Sequence, residues 1–165
     1  APRFGSAHLR LKPAVLERTT FCLPNLSFET DVGLDDLAAL IERAGRLGTD
    51  LLDDYVEAHV RGRIAVADDV EALVLDPAYR DTDLADLARK LPCPVEWHAG
   101  FLLKVDQLAA LNNYRGPDTV AVARAIAQNG QLDPRILGQV ALLGQHDPEL
   151  LEYVWHLIAR FGYQS

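Results

Sequence analysis

Polar and apolar positions alternate strictly over residues 6–12, with Ala7, Leu9 and Leu11 on one side and Ser6, His8, Arg10 and Lys12 on the other. A period of two is that of a half-buried strand, and Pro13, which has no amide hydrogen to give a ladder, ends it. Residues 19–23 are β-branched and aromatic and predict a second strand, closed by Pro24 and Asn25. After Gly33 the period lengthens. Leu34, Leu37, Ala38, Leu40 and Ile41 share one face of a helix, with Gly45 or Gly48 as its stop. Alternation returns over residues 55–61, where Val56, Ala58 and Val60 point inward and Tyr55, Glu57, His59 and Arg61 outward. Residues 70–75 form a short, nearly continuous apolar run ended by Asp76 and Pro77, the pattern of a strand covered on both faces.

Thr82 stands where it can cap a helix through Leu91, with Leu84, Leu87, Ala88 and Leu91 on one side; Pro92 and Pro94 break it. Residues 95–105 predict two short strands turning at Ala99 and Gly100. From residue 117 onward the pattern is helical. Pro117 opens one helix and Gly130 closes it, while Asp133-Pro134 and Asp147-Pro148 each put an acceptor at the cap and proline at the first helical position. Gly144 and Gly162 sit where C-terminal caps belong. On the last helix Leu150, Leu151, Val154, Trp155, Ile158 and Phe161 make a broad apolar stripe. Short links between these helices favour antiparallel packing. The expected class is α+β, with a small antiparallel or mixed sheet in the first half and a helical bundle in the last third. The expected division is residues 1–80 and residues 81–165.

Composition adds bounds. With 49% hydrophobic and 24% charged residues, the chain is globular rather than disordered. Its two cysteines, Cys22 and Cys93, have neither disulfide-framework nor zinc-finger spacing, so a reducing, cytoplasmic setting is expected. No apolar run reaches the ~20 residues of a membrane helix. The absence of methionine and the opening at Ala1-Pro2-Arg3 predict the C-terminal portion of a longer protein. A net charge of −8 argues against nonspecific nucleic-acid binding and against anionic membranes. The charge is uneven: Arg3, Arg10, Lys12 and Arg18 crowd the first twenty residues, and nine acids crowd residues 27–57. Either these stretches face each other, or the basic end receives an anionic ligand such as a dinucleotide.

Candidate chemistry lies on two strands. Tyr55, Glu57 and His59 line up on one face and could hold a ribose hydroxyl or stabilise a developing cation; an ordinary solvated sheet face has the same pattern. Ser6 follows Gly5 and lies near Arg3, either as a point of close ligand approach or as a plain turn. No nucleophile elbow, phosphate-binding loop or dinucleotide glycine fingerprint is present, so a Ser/His/Asp hydrolase has no local support. His98 reads as a half-buried core residue and His156 as solvent-exposed. No histidine stands at metal-ligand spacing from another or from a cysteine, so no metal site is expected.

The segments PRFGSAHLRL, ERTTF, YVEAHVRG, DDVEALVLDPAY, VEWHAGF and VWHLIARFG, in this order, resemble those of a bacterial family described only as a domain of unknown function. Within them, the strand Tyr55-x-Glu57-Ala58-x-Val60-x-Gly62, followed by Asp69-Val70-Glu71-x-Leu73-Val74, resembles a catalytic segment of ADP-ribosyltransferase-like folds. That resemblance implies NAD as substrate and a cleaved N-glycosidic bond. Glu57 would hold the nicotinamide ribose, and Ser6 would shape the NAD site. Arg3, His8, Tyr55 and His59 would line it. Arg61 stands where the family has histidine and Ala7 where it has cysteine. With the family's upstream segment lacking, the chain on its own is expected to be inactive or weak. The other class of function is a noncatalytic effector module whose helical end holds a protein partner.

Overall fold

The computed structural model describes residues 4–23, 32–47, 56–111 and 114–164. In chain order these form β1 (Ala7–Leu11), β2 (Thr19–Cys22), α1 (Leu37–Leu47), β3 (Glu57–Val60), a single turn α2 (Val66–Asp69) and β4 (Val70–Leu75). Then follow α3 (Asp83–Ala88), β5 (Val95–Trp97), β6 (Leu103–Lys104), α4 (Pro117–Ile126), β7 (Gln131–Leu132), α5 (Pro134–Leu143) and α6 (Pro148–Phe161), with short 3-10 turns among them. The class is α+β, with small mixed and antiparallel sheets and helices at the C-terminus. By its contacts the chain divides into two units, residues 10–72 and residues 1–9 with 73–165.

A three-stranded sheet has the order β1, β4, β5. Its central strand β4 carries the apolar run; Val70, Ala72, Val74 and Leu75 are buried. β5 runs parallel to it, with Leu73 opposite Val95 and Leu75 opposite Trp97. β1 forms where alternation places it, but its apolar side stays open and Leu9 is 41% exposed. It is an edge strand, and pairing along one side does not by itself cover a face.

In the unit of residues 10–72, β2 and β3 pair antiparallel, setting Thr20 opposite His59 and Cys22 opposite Glu57. Phe21, Leu23 and Leu40 form a small core with Val32, Leu37 and Val56 against it. Helix α1 starts three residues later than its periodicity suggests, after a 3-10 turn at Leu34–Asp36, and runs past Gly45. The tighter turn puts Leu34 out of phase, so it remains exposed, and on the helix itself Leu40 is buried while Ile41 beside it is exposed. The basic N-terminal stretch is answered by acids: Arg18 pairs with Asp69 at 2.8 Å and Arg10 with Glu71 at 3.4 Å. Asp69 closes α2 and Glu71 lies on β4; most of the acids of residues 27–57 lie outside the described residues.

In the other unit the bundle core contains Leu103, Leu108, Val120, Leu137, Leu151, Val154, Leu157 and Ile158. The caps follow the sequence. Asp133 accepts from the Ile136 amide at 2.7 Å, Asp147 from the Glu149 amide at 2.9 Å, and Gly144 takes the left-handed φ of 63° that ends α5. Three details differ from the periodic reading. Helix α4 ends at Ile126, and Gly130 instead serves the turn into β7, which pairs with β6 and interrupts the helical run. Helix α3 ends at Ala88 and buries Ala85 and Ala88, leaving Leu87 58% exposed. The Thr82 hydroxyl donates to the Tyr79 carbonyl at 2.8 Å instead of capping α3.

Burial separates two leucines of the bundle sharply, since Leu157 is 0% and Leu142 82% exposed. Leu157→Ala is expected to lower unfolding free energy by about 2–5 kcal/mol, and Leu142→Ala to stay within about 0.5 kcal/mol of the parent, by urea denaturation. Equal losses would show that α6 does not pack as described.

Candidate functional site

Among the described residues two clusters of chemically capable side chains form, one in each unit. The first is built at the C-terminal ends of two adjacent parallel strands. The chain leaves β4 at Asp76 and β5 at His98, and the ladder ties them, since the His98 amide donates to the Leu75 carbonyl at 3.1 Å. Ser6 joins them from the start of β1, its carbonyl accepting from the Asp76 amide at 2.9 Å. The residue before it has to be glycine. Gly5 has φ +135°, and a Cβ there would meet the Tyr79 ring at 2.8 Å.

The Ser6 Oγ lies 2.7 Å from His98 Nε2. The other ring nitrogen decides what this contact means. Nδ1 accepts the Gly100 amide hydrogen at 2.9 Å, so in the neutral ring the proton sits on Nε2. Nε2–H therefore donates to Ser6 Oγ, and the serine keeps its own hydrogen to donate elsewhere. Asp76 Oδ2 stands 3.8 Å from the same Nε2 rather than on the far side of the ring. A nucleophilic triad needs the reverse arrangement, with Nε2 bare toward the serine and Nδ1–H held by the acid. These three residues therefore leave the Ser6 hydroxyl as a donor and do not form a hydrolytic triad.

Burial defines the electrostatics. Asp76 is 2% exposed. Its Oδ1 accepts from the Ala78 amide at 2.8 Å, while Oδ2 has no hydrogen-bond partner among the described residues. Burial holds the His98 pKa below its ordinary value; the Asp76 carboxylate opposes this, and His8 adds to it. His8 stacks on His98 at 6.0 Å between ring centres, and Phe101 meets it edge-on at 5.2 Å. A cavity of about 630 Å³ runs past Asp76, Gly100 and Phe101, with Thr82, Asp133 and Gln139 also in its wall. That volume suits a small organic ligand.

The second cluster lies on the β2–β3 pair. Glu57 and His59 are two apart on one strand and so share a face; Cys22 is the direct partner of Glu57 across the ladder. His59 Nε2 is 3.1 Å from Glu57 Oε2 and 3.7 Å from Cys22 Sγ. The Glu57 and His59 side chains are 40% and 50% exposed, open to a ligand from solvent.

Of the residues singled out by sequence, Ser6 and His8 thus meet at His98, and Glu57 and His59 meet at Cys22. Ser6 and Glu57 belong to different units. Arg3 and Tyr55 lie outside the described residues. His156, expected at the surface, is half-buried: its Nδ1 is buried without a hydrogen-bond partner among the described residues, and burial, then Arg115, lowers its pKa. Helix α6 turns it toward the segment carrying Arg115, and Arg115 also sits over the Tyr153 ring at 5.2 Å. Asp76 and Cys22 were not singled out as site residues. Asp76-Pro77 reads as a strand stop, and Cys22 has no partner within ligand spacing along the chain.

The family described as "Protein of unknown function (DUF3626)" matches residues 30–161. Neither a curated protein nor a solved structure gives a significant match.

The depressed His98 pKa carries a signed pH dependence. The folded ring binds protons more weakly than the unfolded one, so its contribution to stability is present above the ordinary value of 6.5 and is lost as pH falls through the folded value. Stability should therefore fall with acidification below about pH 6.5, and the fall should be shallower in His98→Gln. A proton NMR titration placing His98 above its ordinary value would refute the burial argument.

Proposed function

The chain belongs to the DUF3626 family, and from that premise we propose that it cleaves the N-glycosidic bond of NAD, with Glu57 as the stabilising carboxylate. The observation that carries the reading is the half-exposed Glu57 carboxylate on β3, held at 3.1 Å by His59 Nε2. With its proton on Nε2, His59 donates to Oε2 and orients the carboxylate without neutralising it. An oriented carboxylate is what the ribosyl transition state requires. The bond from ribose C1′ to the nicotinamide nitrogen breaks with both electrons going to the ring, which leaves neutral. Positive charge then spreads over C1′ and the ring oxygen, and a nearby carboxylate stabilises it. Water, or a nucleophile on an acceptor, adds at C1′ and releases a proton to solvent. The resemblance of the Tyr55–Gly62 segment to ADP-ribosyltransferases supports the same assignment.

The test is nicotinamide release from NAD by the protein. Glu57→Gln keeps the shape and removes the charge; it should lower turnover by about a hundredfold or more and leave NAD binding by calorimetry within a few fold. Nicotinamide release equal in parent and variant, or absent from both with no heat of NAD binding, would remove the enzymatic reading.

A second reading has one observation in its favour. Leu142 and Leu143, at the end of α5, are 82% and 66% exposed, an apolar pair that suits a protein-binding module. On this reading Leu142→Glu with Leu143→Glu abolishes co-purification of a native partner that the parent retains. Retention by the double variant would count against it.

A further inference from the structure

We propose that Cys22, Glu57 and His59 form a binding site for a zinc-type transition-metal ion. Strand pairing assembles the site. Cys22 and Glu57 are directly opposed, and His59 follows two residues on, so all three side chains leave the same face of the β2–β3 pair. Their ligand atoms lie within 4.8 Å of one another. Two of the separations are 3.7 Å, from Cys22 Sγ to His59 Nε2, and 3.1 Å, from His59 Nε2 to Glu57 Oε2. A tetrahedral zinc ion with sulfur at ~2.3 Å and nitrogen or oxygen at ~2.0–2.2 Å puts neighbouring ligand atoms ~3.3–3.6 Å apart. Shifts of a few tenths of an ångström, within reach of half-exposed side chains, close the shell.

The ligand types select the ion. A thiolate, an imidazole and a carboxylate suit zinc, and cobalt as its spectroscopic substitute. The hard ions magnesium and calcium prefer all-oxygen sites. Three protein ligands leave the fourth tetrahedral position for water or another donor. Metal entry displaces the Cys22 thiol proton and needs the His59 lone pair, so affinity falls as pH is lowered. A bound ion would also hold the Glu57 carboxylate away from a ribose. That regulatory consequence rests on the glycosidic reading, whereas the site itself does not.

The experiment is a cobalt(II) titration of the reduced chain under exclusion of air. The expected result is one equivalent bound, with a thiolate-to-cobalt charge-transfer band in the near ultraviolet and the visible bands of a tetrahedral centre, all abolished by zinc. Cys22→Ser should lose the charge-transfer band, His59→Asn should weaken cobalt binding at least tenfold, and Cys93→Ser should match the parent; circular dichroism checks that each variant is folded. The proposal is overturned if the parent shows no charge-transfer band up to millimolar cobalt, if Cys22→Ser keeps it, or if His59→Asn binds as the parent does. None of these readouts involves NAD. A cobalt site without nicotinamide release would leave the metal assignment standing and remove the glycosidic one, and zinc-sensitive release in the parent but not in Cys22→Ser would support both.

Discussion

The burial of β4 is the constraint on which the first cluster depends. A strand with neighbours on both edges, with Val70, Ala72 and Val74 buried on one face and Glu71 exposed on the other, cannot slide by one residue without exposing Val74 or burying Glu71. Fixed register fixes where the chain leaves the sheet, and it leaves at Asp76, a carboxylate 2% exposed. Burying such a group costs several kcal/mol unless hydrogen bonds answer it. The Ala78 amide answers one oxygen, and proline at 77 gives up no donor in turning the chain toward that amide. The second oxygen is left facing His98 at 3.8 Å. The histidine tautomer then follows from the Gly100 amide, and the direction of the Ser6 hydrogen bond follows from the tautomer.

Periodicity was a good guide to which residues form strands and to which residues share a face of one. The alternations over residues 6–12 and 55–61 and the apolar run at 70–75 each coincide with an observed strand. The helix starts at Pro117, Pro134 and Pro148 were legible because proline at the first helical position, joined at two of them by an aspartate cap, is local chemistry, complete within four residues. Tertiary partners were not legible. Nothing near Val95 signals a parallel partner 22 positions earlier at Leu73, and two-residue strands such as β6 and β7 are too short for any period to register. Burial on a given face was also beyond reach. Ala7 and Leu9 have the pattern of an inward face and lie open on an edge, while His156 has a polar pattern and is half-buried.

The same limit explains the candidate sites. The trio Tyr55, Glu57 and His59 was visible because strand geometry puts alternate residues together. Cys22 stood 35 positions away from Glu57, and only the antiparallel register brings it opposite. Ligand spacing along the chain, the usual signature of a metal site, therefore carried no information about this one. For His98 the sequence suggested a half-buried core residue, and its side chain is buried further than that, at 5% exposed; a single sequence has no marker for which ring nitrogen will be met by a backbone amide.

That tautomer bears on what the Ser6 hydroxyl can do. A serine that gives its proton to a histidine is a nucleophile in waiting; a serine that accepts one from a histidine is a fixed donor. Ser6 is the second kind, because Gly100 occupies Nδ1 and so places the ring proton on Nε2. A fixed hydroxyl donor suits the oxygen-rich surface of a nucleotide, where ribose and phosphate oxygens accept. It does not suit attack on a carbonyl. The depressed pKa of His98 works in the same direction, since a neutral ring keeps one proton, on the nitrogen that faces Ser6, across the neutral pH range. Orienting a ligand through its oxygens is thus the task that the chemistry of Ser6 fits, and it needs no proton transfer to the ring.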